Sequence, residues 1–242
     1  MKFFREYITE LFDRKVEYRQ TVQDNGLWGY NFIFIDEGDG LKPAPRGKDL
    51  ERYVDKTTSP NSTPGQKIQE FNNRVKVYSY IVNFDDISKS YIKTEYSELA
   101  LISNVDIFDR VWELSFDMRK SELDLMKGGR PSITGKYYYS WDVGTDEDIN
   151  IFSGANAAMI LGAVRDIAKD FVEKKKPRGI ILGTKLTANP ARGRIYKNLA
   201  RIAARETGGE LHELDFAREG MKNGAMVWFD TKNPFNLPYQ KA

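Results

Sequence analysis

The sequence predicts an α+β protein built on a mixed, mainly antiparallel sheet flanked by helices. Three observations carry that expectation. Runs with a period of two recur through the first two thirds of the chain, as half-buried strands require. Two long segments of the last third repeat their apolar residues at helical spacing. Between them lies Arg178–Gly183, a short apolar, glycine-bounded run of the kind found in buried central strands.

Taken in order, Phe3, Phe4, Tyr7, Ile8 and Leu11 stand at helical spacing and predict a short amphipathic helix lying against a sheet. Trp28–Ile35 places Trp28, Tyr30, Phe32 and Phe34 on one face and Asn31, Ile33 and Ile35 on the other, which is a strand. From Glu37 to Pro64 glycine, proline, serine and threonine accumulate, a composition that breaks helix and strand ladders alike. The expectation is therefore a single α+β domain over residues 1–242, with a Gly/Pro-rich insertion or mobile loop at about 37–73 that carries one short helix. Val75–Phe84 alternates again, and Leu99–Ile102 is a further short strand. Val111–Met118 turns Trp112, Leu114, Phe116 and Met118 toward a core. Tyr137–Val143 follows a Gly128-Gly129-Arg130-Pro131 turn as the next strand.

Phe152–Lys174 is the longest helical pattern, with Asn150 or Ser153 as N-cap and Pro177 just past its end. After the strand Arg178–Gly183 comes a second helix, Ala191–Glu206, which begins behind Asn189-Pro190 and stops at Gly208-Gly209. Two strands, Glu210–Phe216 and Met226–Asp230, close the chain around a turn between Gly220 and Gly224.

A chain of 242 residues, 40% hydrophobic and 30% charged, buries enough surface to fold without staples. It has no cysteine and one histidine, His212. That excludes disulfides, thiolate metal sites, iron–sulfur clusters and cysteine nucleophiles, and leaves a histidine relay or His-based zinc site almost no material. Carboxylate, tyrosine, lysine or backbone chemistry remains, or binding without chemistry. No stretch approaches the ~18 apolar residues of a membrane span. The charged start, Met1–Glu6, has no apolar signal core, so the expected place is the cytoplasm of synthesis or a particle assembled there, with no membrane partner.

The formal net charge of +2 hides an asymmetry. Between Arg165 and Arg205 twelve basic residues face only Asp166, Asp170 and Glu173, a local charge of +9 that leaves −7 for the rest. Two readings stand side by side: solvated helix faces, or a phosphate-, nucleic-acid- or partner-binding surface made by Lys185, Arg192, Arg194, Lys197 and Arg201. Arg194 and Arg201, seven apart, share a helix face. Gly183-Thr184-Lys185 lacks the spacing of a P-loop, and Asp146-Glu147-Asp148 lacks the alternating ligands of a calcium loop. His212 reads as a structural residue of a strand, and Tyr137, Tyr138, Tyr139 and Trp141 as half core and half sheet surface.

The strand run, long helix, buried strand, second helix and final hairpin resemble the GNAT superfamily of acyl-CoA N-acyltransferases over about the last hundred residues. In that superfamily the last helix often opens with N-x-x-A-x-x-L-Y; here Asn189 and Tyr196 hold the outer positions and Ile195 the leucine place. The resemblance implies that acetyl-CoA is the cofactor, that Asn189 positions it, and that Tyr196 protonates the departing thiolate as general acid. The chain departs from the pattern in three ways. Arg192 replaces a small residue, the usual Gly-Phe pair is missing, and the segment from Asp142 to Ala155 lacks the arginine or glutamine of the pyrophosphate loop. That segment carries Asp142, Asp146, Glu147 and Asp148 instead. Like charges ~4–6 Å apart repel by about 1 kcal/mol in water and by more when desolvated, so a diphosphate is opposed and no cofactor is expected.

The strand arrangement, the Phe152-Ser153-Gly154-Ala155-Asn156 entry to the long helix and the run from Arg192 to Ala200 also resemble small tailed-phage proteins. That resemblance implies a viral protein of the bacterial host cytoplasm or the virion, and no particular activity. The leading expectation is thus a phage-type binding or structural protein, a virion component or host-interacting factor, on a GNAT-like scaffold without its pyrophosphate loop. Its partner would be a protein (itself, phage or host), met by the basic helices and the 37–73 insertion. The alternative is an acyl-CoA-dependent N-acetyltransferase using Tyr196 and Asn189, with Arg192 or Arg194 on phosphate. A third reading is nucleic-acid contact through residues 165–205.

Overall fold

The computed structural model describes residues 16–24, 26–87, 110–125, 136–141, 155–185, 190–216, 221–230 and 232. Their strands are β1 (Tyr18–Asp24), β2 (Leu27–Asp36), β3 (Leu41–Pro43), β4 (Lys76–Asp86), β5 (Val111–Leu125), β6 (Tyr137–Trp141), β7 (Gly179–Lys185), β8 (Glu210–Phe216) and β9 (Met221–Trp228). The helices are α1 (Gly47–Thr57), α2 (Pro64–Arg74), α3 (Ala155–Lys175) and α4 (Pro190–Thr207). Strands pair in the order β1-β2-β4-β5-β7-β9-β8, with β3 on β2 and β6 on β5. The β5–β7 pair is parallel, from Val111 opposite Gly179 to Leu114 opposite Leu182. The pairs β2–β3, β5–β6, β7–β9 and β8–β9 are antiparallel. The α+β class and the mixed, mainly antiparallel sheet with flanking helices are therefore as the sequence predicts. The chain divides into two compact units: Met1–Arg19, Asn31–Ile81 and Asp117–Ala163 form the first, Gln20–Tyr30, Val82–Phe116 and Val164–Ala242 the second.

In the first unit the segment 37–73 is not the loop with one short helix that its composition suggests. It holds β3 and two helices of eleven residues each. Glycine and proline sit at the joints, whereas the segments between them carry apolar residues one turn apart. Leu50 and Val54 of α1 and Phe71 of α2 are buried against Ile33, Ile35, Val75, Val77, Leu123, Tyr137 and Tyr139. Fully burying each such side chain contributes roughly 1.5–3 kcal/mol, enough to hold an element that propensity alone does not form. The Thr63 hydroxyl accepts from the Gln66 amide while the Gln66 side chain accepts from Thr63 N–H, a capping box that starts α2 at Pro64. Strand β5 runs on to Leu125, past the Met118 limit of the sequence pattern. Asn72 of α2 supports that extension: its Nδ2 donates to Leu123 O at 3.1 Å and its Oδ1 accepts from Leu123 N at 2.9 Å.

In the second unit Phe171 of α3 is the centre of an aromatic cluster. It stacks on Phe84 with ring centroids 3.8 Å apart, and meets Trp28 and Trp112 edge-on. The Lys175 ammonium lies 3.7 Å from the Trp28 ring centroid, and the Tyr30 hydroxyl donates to Asp170 at 3.1 Å. Glycine is required at 179, because a Cβ there would sit 2.8 Å from Trp228 Cε3. Helix α4 ends as expected, with Gly208 left-handed at φ +71. The final hairpin differs from the sequence reading. Strand β9 begins at Met221, so Gly224 is inside the strand opposite Leu214, with Ala225 opposite Glu213, rather than in a turn.

The expected helix 3–11, the strand 99–102, the turn 128–131 and the acidic segment 142–154 lie outside the described residues.

Candidate functional site

Among the described residues, six basic side chains of the 165–205 segment are held in ion pairs: Arg165, Lys169, Lys174, Arg178, Lys197 and Arg201. Lys197 and Arg201, one turn apart on α4, both reach Glu213 of β8: Nζ to Oε2 and Nη2 to Oε1, each at 3.1 Å. Arg201 also donates to Asn198 Oδ1 at 3.3 Å. The Lys197 hydrogen bond, then its charge and the Arg201 contact, hold the Glu213 carboxyl below its ordinary value. Lys169 of α3 meets Glu206 of α4 at 3.2 Å, and Arg178 meets Asp230 at 2.9 Å. Arg165 and Lys174 pair with Asp166 and Asp170 on their own helix, at 3.0 and 2.7 Å. Three carboxylates from outside the 165–205 segment, Glu206, Glu213 and Asp230, thus offset part of its charge, taking the formal +9 to +6 (9 − 3).

The remaining candidates are placed by the backbone alone. Lys185 is the last residue of β7, opposite Met221 of β9. Arg192, Arg194 and Tyr196 lie in the first two turns of α4, which starts at Pro190. Asn189 is outside the described residues. The structure therefore brings Lys197 and Arg201 together on one acceptor, and this network was not visible in the sequence reading, which ignored Glu213. The available signal was a cation pair at i,i+4 followed, past Gly208-Gly209, by a strand with an acidic residue among apolar ones.

Between α3 and α4 lies a cavity of about 40 Å³, lined by Ala168 and Val172 of α3, Leu199 and Ala203 of α4, and Ile180 and Leu182 of β7. The Lys169–Glu206 pair borders it. A void needs about 10–15 Å³ per water-sized probe, so this one takes a few small groups and falls far short of a cofactor pocket.

His212 packs within β8, its Nε2 3.5 Å from Glu210. Burial favours the neutral imidazole and pushes His212 below its ordinary value, against the opposing pull of Glu210. Tyr137 and Tyr139 are buried while Tyr138 between them donates to Asp124 at 3.1 Å, the core-and-surface division expected of that strand. Among the described residues no helix is long and apolar enough to cross a membrane. No protein-family model, curated protein or solved structure matches the chain.

Proposed function

We propose that this chain works by binding rather than by chemistry, as a phage-type structural or host-interacting protein whose partner is another protein. The observation that carries the reading is the double contact of Glu213 with Lys197 and Arg201. Cations already matched by a carboxylate hold helix to strand and are poor at displacing counterions from a phosphate backbone. This weighs against the nucleic-acid reading for these two residues and leaves protein contact as the simpler use of the surface.

The test compares wild type with Glu213→Gln on heparin and on single-stranded nucleic acid. Wild type is expected to show little salt-dependent retention; the variant, with two cations released, should bind with a log–log salt slope steeper by about 0.7–0.9 per freed cation. Tight salt-dependent binding by wild type, lost in Arg194→Ala/Arg201→Ala, would instead establish the nucleic-acid reading. Light scattering of the purified full chain reads the proposal directly, as self-association or a persistent protein partner. A monomer that turns over substrate refutes it.

A second reading has one observation in its favour. Helix α4 starts one residue after Asn189 and carries Tyr196 in its second turn, where an acetyl-CoA-dependent N-acyltransferase would use a general acid. Acetyl-CoA at saturation would raise Tm if that reading holds, and leave it unchanged if the GNAT-like scaffold serves binding alone.

A further inference from the structure

The cavity of the second unit has a floor and a mouth of different chemistry. Leu114 of β5, Ile180 and Leu182 of β7 and Val227 of β9 form the floor, and all four are buried. Ala168 of α3 and Ala203 of α4 line the walls, so the space exists where a larger side chain on either helix would close it. Toward solvent the lining changes. Its polar residues are Arg165 and Lys169 of α3 and Glu206 and Thr207 of α4, all exposed or half-buried. Arg165 is held by Asp166 at 3.0 Å, and the Thr207 hydroxyl donates to Ala203 O at 2.6 Å. The other two, Lys169 and Glu206, form an ion pair between the helices, 3.2 Å apart.

We propose that this cavity and the Lys169–Glu206 pair beside it bind a free α-amino acid with a small branched aliphatic side chain. Size leads there first. At about 10–15 Å³ per water-sized probe, a cavity of about 40 Å³ holds about three or four carbon-sized groups, the side chain of valine, leucine or isoleucine. Burying that side chain on an apolar floor supplies the driving force, and the few polar groups at the edge fix its orientation.

Charge leads to the same ligand. An amino acid carries its ammonium and carboxylate on one carbon, so its carboxylate can meet Lys169 while its ammonium meets Glu206. One ion pair becomes two. The Lys169 and Glu206 side chains are 51% and 26% exposed, and a pair so open contributes little to stability, so parting it costs little. A ligand with one charge would leave either Lys169 or Glu206 without its partner as the mouth is covered. The inference stands whether or not the chain also meets a protein partner.

The experiment is an NMR titration of the full-length chain with L-leucine and L-valine, and with glycine, isovalerate and isopentylamine as controls, at matched ionic strength. Leucine or valine is expected to bind saturably with a Kd on the order of 1 mM, as about nine non-hydrogen atoms allow. Glycine, with no side chain to bury, should not saturate. Isovalerate and isopentylamine, each lacking one charge, should bind at least about tenfold more weakly. Ala203→Val fills the cavity and should abolish leucine binding with Tm unchanged or higher. Glu206→Gln should weaken leucine about tenfold and isovalerate not at all, and Lys169→Gln should weaken leucine but not isopentylamine; a pair with a merely structural role would move both ligands alike. These two positions are at the surface, so they remain readable if Ala203→Val fails to fold. No saturation by leucine or valine, equal affinity for either singly charged control, or leucine binding unchanged in a folded Ala203→Val overturns the proposal. Light scattering altered by Ala203→Val, with neither amino acid bound, overturns it in favour of a side chain from a second copy.

Discussion

Ala203→Val tests whether α3 and α4 are separated by a real void. At about 24 cal/mol per Å³, the cavity of about 40 Å³ represents about 1 kcal/mol of lost packing. The substitution adds two methyl groups to a residue that lines it, worth about 0.8 kcal/mol each if fully enclosed. Ala203 is only partly buried, and a β-branched residue in a helix costs about half a kcal/mol. The net expectation is a gain of about 1 kcal/mol, or about 2–4 °C in Tm. Urea unfolding followed by tryptophan fluorescence should show a higher midpoint at unchanged slope. Leu199→Ala enlarges the same space and should lose about 2–5 kcal/mol. A loss of more than 1 kcal/mol on Ala203→Val would refute the reasoning, since it would mean that the helices already touch there. Stabilisation accompanied by loss of partner binding would identify the groove as functional space kept open at the expense of stability.

Asn72→Ala should cost about 2–3 kcal/mol in urea unfolding, because it leaves both the N–H and the C=O of buried Leu123 unpaired. Phe171→Ala should cost about 3–5 kcal/mol by the same measurement, removing the ring shared by Phe84, Trp28 and Trp112. His212 is pushed below its unfolded value, so the unfolded state binds the extra proton: its contribution to stability is complete above about pH 6.5 and falls as pH drops through that value toward the folded pKa. Tm measured from pH 8 to pH 5 should decline in that window, and His212→Gln should flatten the decline. Glu70 is lowered first by the Ser62 hydroxyl and then by Ser59 N–H, so its contribution is present above the unfolded carboxyl value and disappears only at lower pH.

Periodicity was informative wherever an element buries one continuous apolar face. The patterns at Trp28–Ile35, Val75–Phe84 and Glu210–Phe216 correspond closely to β2, β4 and β8, and the two long helical patterns to α3 and α4. It failed at 37–73 because α1 and α2 are short and are held by Leu50, Val54 and Phe71, three contacts that only the sheet beneath them makes favourable. Composition counted the glycines and prolines of the joints and missed the turns between. It failed again at β5, whose far end alternates Arg119, Ser121, Leu123 and Leu125 without the hydrophobicity of a core strand. There the pairing with β6 and the Asn72 side chain supply the hydrogen bonds that the sequence pattern does not advertise.

Charge counted along the chain is incomplete for a related reason. A local +9 counted along the chain includes Asp166 and Asp170, which do pair with Arg165 and Lys174, but a Debye length of about 8 Å gives equal weight to carboxylates that are near only in space. Glu213 is sixteen residues from Lys197 and Asp230 is fifty-two from Arg178, distances that a sheet and a helix close to about 3 Å. Asn31 and Ser79 illustrate the reverse case: each sits between two aromatic residues and looks like noise in its own strand, while Ser121 lies between Lys120 and Glu122. Only strand pairing brings Ser121 against Ser79, 42 residues away, so that the one hydroxyl donates to the other at 2.7 Å. A buried polar group disfavours folding unless something answers it, and here the hydroxyls of Ser121 and Ser79 answer each other while Arg46 reaches Asn31.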